Sequence, residues 1–436
     1  MSLAVLGVLS ALVYASGIPL SAWLGVEPLR LHLPMFGAVF ALYLLALWLV
    51  ARGEMRGAPA LGVVLGFALV FRVLQVWTPV YLSSDVYRYL WDGRVQLAGV
   101  SPYRYPPAAP ELAGLRDLMV YPHINRPTAV TVYPPAAQGI FMLAASATAR
   151  TIPAWRVLLV LADAMTILIL LHVLRRLGAS AAAVLGYAWS PLVVFEGIQA
   201  GHVDLVIIPI VLLALLWRMR GSSWRAGLTL GVAVLVKLYP GILLLAWWRR
   251  GDWHFPAAVV AMVGLGYLPY AATVGFGALG FLPTYISDPY EDANLGLRAL
   301  VTYPFGLADP VVRGAAMTFF FMLLTAVLIY IARTSVHDAT GAWNATALAV
   351  GAYVLLVPTA MHPWYVVWIV PFLCVRPSAA WLWFSGAVTL SYVAYVVAPA
   401  PLPWWAWLLE YGPFYVLLVA GAKQREYCQT IMRWRE

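Results

Sequence analysis

Charge is scarce in this chain. Only 10% of its 436 residues are Asp, Glu, Lys or Arg, against roughly a quarter in a soluble domain. Lysine is nearly absent, since Lys237 and Lys423 are the only two among 27 basic residues. A water-soluble globular fold is excluded on this ground, because 63% of the residues are hydrophobic and too few charges exist to cover them. Cysteine is scarce as well: Cys374 and Cys428 offer neither a disulfide framework nor metal-ligand spacing. There is no Walker loop, no G-x-G-x-x-G turn and no zinc-type His/Glu pair, so soluble nucleotide chemistry has no motif to rest on. The net charge of +9 does not imply nucleic acid, because the basic residues fall in short clusters between apolar runs, as charge-directed membrane orientation requires.

Long apolar runs are what the chain has. A bilayer is crossed by about 20 such residues, and the runs that qualify or come near are 3–20, 35–51, 59–79, 136–149, 156–174, 179–197, 203–218, 225–248, 254–274, 311–332, 343–359, 364–376, 379–398 and 403–422. The run 225–248 is broken at Lys237-Leu238-Tyr239-Pro240, and 364–376 is too short to cross without tilt. The expectation is therefore an all-α polytopic membrane protein, a single domain over 1–436 with about 12 spans. The segment 1–20 lacks a basic leader and a small-residue cleavage site, which makes it a retained first helix. The 20 Trp and 24 Tyr suit interfacial belts or a sugar-binding cavity.

Orientation follows from the basic clusters. Arg52 with Arg56, Arg218 with Arg220 and Arg225, Arg249 with Arg250, and the tail 423–436 with Lys423, Arg425, Arg433 and Arg435 belong in the cytoplasm. The long segments 81–135 and 275–310 then form two extracytoplasmic loops, the second acidic at Asp288, Glu291, Asp292 and Asp309. Parity between 136 and 176 stays open, because Arg150 and Arg156 compete with Arg175 and Arg176 for the cytoplasmic side.

The first loop holds the sharpest pattern. A helix begun near Asp85 places Asp85, Arg88, Tyr89 and Asp92 on one face, with Val86, Leu90 and Trp91 opposite, as an amphipathic helix at a membrane surface would. Ser84 or Asp85 also fits an ordinary N-cap, and Asp92 fits an i+4 partner for Arg88. Proline-stiffened stretches follow, and they present Arg126 and Tyr133 among donors suited to phosphate and sugar hydroxyls. Further on, Glu196 and the Gly201-His202-Val203-Asp204 turn lie between apolar runs, where ionisable groups either line a cavity or close a loop in pairs. Lys237 stands in a helix break, as a counter-charge for phosphate or as a snorkelling lysine. His362 opens His-Pro-Trp-Tyr, where interface anchoring explains the aromatics but not the histidine.

Together these motifs (the loop Asp85, the Tyr133-Pro134-Pro135 end, the Gly-His-x-Asp turn, the Lys-x-Tyr-Pro break, the late His-Pro-Trp-Tyr) resemble the GT-C class of membrane glycosyltransferases. The likeness is greatest to bacterial polyprenyl-phosphate-mannose-dependent mannosyltransferases, and a more distant one is to the catalytic subunit of the first mannosyltransferase of GPI-anchor synthesis. It covers Asp85 to Pro371. It implies an enzyme in the inner, or plasma, membrane that moves a sugar from a polyprenyl-phosphate donor to a glycan or glycolipid acceptor on the extracytoplasmic face. By that analogy Asp85 is the catalytic base; by their chemistry Arg88, Arg126, His202 and Lys237 are expected to neutralise the leaving phosphate, and Asp92, Tyr133, Asp204 and His362 complete the expected substrate-binding set. No metal or cofactor is expected, since no carboxylate cluster has coordination spacing. The rival expectations are a flippase for a lipid-linked saccharide and a GT-C glycan ligase. A transporter would show duplicated halves, which this chain does not display.

Overall fold

The computed structural model describes residues 2–53, 58–147, 151–285, 294–306, 309–335, 338–358, 360–396 and 402–433. Arg56, Arg150, Asp288, Glu291 and Asp292 lie outside these residues, and so do the side chains of the tail. Among the described residues the fold is all α, its nearest approach to a sheet being one antiparallel bridge between Leu295 and Ala360. Eight helices are long and apolar enough to cross a bilayer, nine if a bent pair counts as one span. The chain is a multi-pass membrane protein. The expected count of about 12 included runs such as 136–149 and 203–218, which form helices of 13 and 16 residues.

Helices α1 (Leu3–Leu24), α2 (Pro28–Ala51) and α3 (Ala58–Val76) pack as a trio. Ser2 caps α1 by accepting from the Val5 N–H at 3.4 Å, and Gly25 ends it in the left-handed conformation at φ 64°. Close approach of α1 to α3 depends on Gly7, where an added Cβ would stand 2.3 Å from the Phe67 ring.

After α3 come α4 (Asp85–Leu97) and α5 (Pro135–Ala147), with the proline-rich loop between them. Ser84 is the N-cap residue of α4 but makes no side-chain cap bond, so Asp85 sits in the first helical turn, where a carboxylate matches the helix dipole. The apolar face of α4 is buried as the pattern requires, but Arg88, Tyr89 and Asp92 are buried too. This helix is enclosed on both faces instead of lying on a membrane surface. Gly93 makes the enclosure possible, because a Cβ there would fall 2.2 Å from the Phe141 carbonyl oxygen of α5.

Helix α6 (Ile152–Arg176) shows why the spans belong in lipid. Val157, Leu161, Met165 and Leu168, spaced along one face, are exposed, while Trp155, Leu159, Asp163 and Thr166 are buried. An apolar stripe turned outward from a packed interior has lipid as its natural solvent. The run 179–197 does not make one straight helix. It bends by 59° between Ala181–Ala188, which includes α7 (Leu185–Ala188), and a π-helix at Val193–Gln199. Pro191 lies at the break, and a ring there removes a backbone donor.

Two buried arginines satisfy the backbone that this break frees. Arg72 of α3 pairs with Asp163 of α6 at 2.8 Å and donates to the carbonyls of Ala68 and Ala188. The Tyr187 hydroxyl completes the cluster by donating to Asp163 at 2.8 Å. Arg156 donates to the carbonyls of Val76, Thr78 and Gln199, tying the end of α3 to the π-helix. Arg156 therefore serves chain ends in the interior, which explains why it confuses a tally of loop charges.

The chain continues through α8 (Asp204–Met219), α9 (Ser223–Val236), α10 (Ile242–Ala246) and α11 (His254–Val274). The break at Lys237 is real: α9 stops at Val236, and Lys237 is extended at φ −155°, ψ 143°. Longer helices Pro310–Thr334, Ala339–Leu356 and Trp404–Arg433 follow, with shorter pieces Pro363–Val366 and Val370–Leu373 between them. Each of the breaks near Ser83, Lys237 and His362 opens on the same cavity.

Candidate functional site

That cavity has a volume of about 790 Å³. One wall comes from the start of α4 and the proline-rich loop, with Asp85, Arg88, Asn125, Arg126 and Tyr133. A second comes from the chain break after α9, with Lys237 and Tyr239. The stretch around His362 and Trp364 closes a third side, and Asn294 and Arg298 enter from the described remainder of the second long loop.

Asp85 is held in place by its loop. Its Oδ1 accepts from Asn125 Nδ2 at 2.6 Å, and its Oδ2 accepts from the Tyr133 hydroxyl at 3.4 Å. The carboxylate is 20% exposed, open to the cavity yet fixed at both oxygens. The loop that supplies Asn125 is itself braced. Asp117 pairs with Arg94 at 2.6 Å and accepts from the Val120 N–H at 2.7 Å. Desolvation opposes ionisation of Asp117 but is outweighed by Arg94 and by the Val120 and Tyr121 N–H groups, so its carboxyl is held down at about 2. Arg126, next to Asn125, has φ 49°. A non-glycine residue in that region is strained, and such strain clusters at functional sites.

Six of the residues singled out from the sequence line the cavity: Asp85, Arg88, Arg126, Tyr133, Lys237 and His362. Three others, Asp92, His202 and Asp204, do not; each stands behind a lining residue. Asp92 is buried and receives Arg88 Nε at 2.8 Å, while Gln138 Nε2 donates to its other oxygen at 3.0 Å. Asp204 is buried and receives the Lys237 ammonium at 2.8 and 3.0 Å, with Trp368 Nε1 donating at 2.6 Å. The ammonium also lies 5.1 Å from the Tyr365 ring centre and 5.0 Å from that of Trp368. Lys237 is thus neither a snorkelling side chain nor an unmatched charge.

His202 lies behind Asp85. Its Nδ1 is 2.8 Å from the Glu196 carbonyl oxygen, and its Nε2 is 4.0 Å from Asp85 Oδ2. Burial pulls its imidazole below the usual range against the opposing pull of Asp85 and Asp204. The ring stacks on Trp364 at 4.2 Å, and Trp364 stacks in turn on His362 at 4.3 Å. Among the described residues no three or more His, Cys, Asp or Glu gather as metal ligands.

Some contributors had little signal in the sequence. Asn125 makes the shortest contact to Asp85, and only its place among loop donors hinted at it. Asn294 donates to both Glu410 carboxylate oxygens, at 3.0 and 3.1 Å, and to the Met361 carbonyl at 3.0 Å. The Met361 N–H returns a bond to Asn294 at 2.7 Å. This knot fastens the second loop to the His362 wall across 67 residues and to the helix Trp404–Arg433 across 116, distances no local pattern spans. Glu196 accepts from the Tyr392 hydroxyl at 2.9 and 3.1 Å, holding the π-helix to the segment Val388–Tyr392, whose Tyr392 also lines the cavity.

Residues 2–268 match the family described as alpha-(1->6)-mannopyranosyltransferase, N-terminal domain. The chain is also 24% identical over 376 residues to a probable alpha-(1->6)-mannopyranosyltransferase of Mycolicibacterium smegmatis (strain ATCC 700084 / mc(2)155), an alignment covering 71% of this chain and 64% of that relative. The chain thus spans less than two thirds of that relative's length. No solved structure matches the chain. The family match accords with the GT-C likeness of the motifs that surround the cavity, and it covers Asp85, His202 and Lys237 together with the helices that carry them. The chain belongs to the alpha-(1->6)-mannopyranosyltransferase N-terminal-domain family.

Proposed function

We propose that this protein is an inverting mannosyltransferase that moves mannose from a polyprenyl-phosphate donor to a hydroxyl of a glycan or glycolipid, with Asp85 as the base. The supporting observation is the cavity itself, where a fixed, partly exposed carboxylate faces Arg126, Lys237 and His362. A sugar hydroxyl is a weak nucleophile, and a carboxylate at hydrogen-bond distance takes its proton as attack proceeds. The leaving phosphate needs charge neutralisation more than protonation, and preorganised cations supply it. Arg126, Arg88 and Lys237 are the cations for that role, and His362 adds a ring N–H as a hydrogen-bond donor. Asp92 and Asp204 position Arg88 and Lys237, which cannot swing away without abandoning buried carboxylates. The apolar part of the lining, including Phe281, Leu282, Phe321 and Val357, suits the first units of a prenyl chain. By the distribution of basic clusters the site faces the extracytoplasmic side of the plasma membrane.

The test is transfer of radiolabel by the purified protein from polyprenyl-phosphate mannose, with a nucleotide-linked mannose as the control donor. Transfer from the lipid donor alone is expected; transfer from the nucleotide donor alone would sink the reading. Lys237→Ala should raise the apparent donor KM about 10- to 100-fold, the scale of one lost charge-assisted contact. An unchanged donor KM would remove Lys237 from phosphate binding.

A further inference from the structure

His202 is not built as a phosphate ligand. It does not line the cavity and is 1% exposed. A carbonyl oxygen can only accept, so the 2.8 Å contact with Glu196 places the proton of the neutral ring on Nδ1. Nε2 then carries a lone pair. That atom is buried with no hydrogen-bond partner, which is uncommon for a polar group in a packed interior. The charged group ahead of it is Asp85 Oδ2 at 4.0 Å. Two acceptors face each other across this gap, and a proton on either one would close it into a hydrogen bond. The ring cannot turn away, because Trp364 stacks on it and is backed by His362.

We propose that His202 is the second proton carrier of the transfer reaction, receiving on Nε2 the proton that Asp85 takes from the acceptor hydroxyl. The inference rests on Asp85 being the base. In the step, the acceptor oxygen forms a bond to the anomeric carbon. The bond from that carbon to the phosphate oxygen breaks, and its electron pair leaves with the lipid phosphate. The hydroxyl proton passes to Asp85 Oδ2 and on to Nε2, and it returns to water through Asp85 when the products depart. No further reactant is needed. The imidazolium so formed keeps its Nδ1–H on the Glu196 carbonyl, with Glu196 Oε2 3.5 Å away.

Neighbouring carboxylates favour that transient charge, against burial, which works the other way. The groups facing the ring are Asp85 from α4, Glu196 from the π-helix, Asp204 from α8, Lys237 beyond α9 and, across Trp364, His362. Asp85 and Asp204 pull the ring toward its charged form, and Lys237, which pairs with Asp204, opposes them. Burial keeps the resting ring neutral near pH 7 and so ready to accept. Moving the proton off Asp85 restores a carboxylate beside the new glycosidic oxygen, and the reverse reaction then lacks its acid.

The test compares His202→Gln with wild type in full-length purified protein, varying polyprenyl-phosphate mannose and the acceptor each in turn with the other saturating. Glutamine still offers an N–H to the Glu196 carbonyl but cannot take a proton. The expected result is a kcat lowered about 10- to 100-fold, near the low end of proton-transfer contributions, with both KM values unchanged. The fall of kcat at low pH that reflects His202 protonation should also vanish. A raised donor KM with unchanged kcat would make His202 a phosphate ligand and overturn the proposal. So would a variant with unchanged kcat and unchanged pH profile. Should the variant not fold, a proton inventory on wild type decides: curvature from two protons in flight supports the relay, and a straight line overturns it. Asp85→Asn run alongside separates the two ideas. If Asp85→Asn is inactive while His202→Gln is unaffected, the relay alone fails; if Asp85→Asn is fully active, the base assignment fails and the relay with it.

Discussion

Asp85→Asn should lower kcat for mannosyl transfer by about 10²- to 10⁴-fold, the range a positioned general base contributes. The substitution is close to isosteric. The side-chain oxygen of an asparagine can still accept from Asn125, and the Tyr133 hydroxyl can turn to the new amide, so the proline-rich loop should keep its place. What is lost is proton acceptance. The donor KM should therefore hold, because the cations proposed to meet the donor phosphate are untouched. Steady-state kinetics on purified protein check this, and full transfer by the variant would leave Asp85 as no more than an anchor for the loop.

Arg72→Met is expected to destabilise the folded protein by about 3–5 kcal/mol, the scale for removing one partner of a buried ion pair. Arg72 and Asp163 are each 2% exposed, and without the guanidinium Asp163 keeps only the Tyr187 hydroxyl. The carbonyls of Ala68 and Ala188 lose their donor as well. The double variant Arg72→Met with Asp163→Leu removes the unpaired charge and should recover most of the loss. Thermal unfolding in detergent measures both. If the single variant unfolds at the wild-type temperature, the pair does not hold α3 to α6. The cavity should feel this change only through the broken span, since neither residue lines it.

Much of the site's outline is legible in local pattern. The polar insertion at Asp85, the helix break at Lys237 and the histidine before Pro363 each interrupt an apolar run, and in a membrane protein such interruptions have few places to go. The structure brings all three to one cavity. Local pattern could not say which side of the wall each ionisable group occupies. Asp92 shares a helix face with Asp85 by spacing, yet α5 covers it through the contact that Gly93 permits. His202 and Asp204 are two residues apart, but one backs Asp85 of α4 and the other backs Lys237, because the turn between the π-helix and α8 points them at different elements.

By itself the sequence determined that this is an all-α membrane protein: too few charges for water, apolar runs of spanning length, and basic clusters between them. Those properties are local sums, fixed by composition and length before any tertiary contact forms. Only the tertiary structure decided the pairings. Asn294 with Glu410, Arg72 with Asp163 and His202 with Asp85 join residues 116, 91 and 117 positions apart. Such pairs are set by how helices pack, and packing depends on glycines, breaks and buried polar bonds acting together, not on any one stretch of chain.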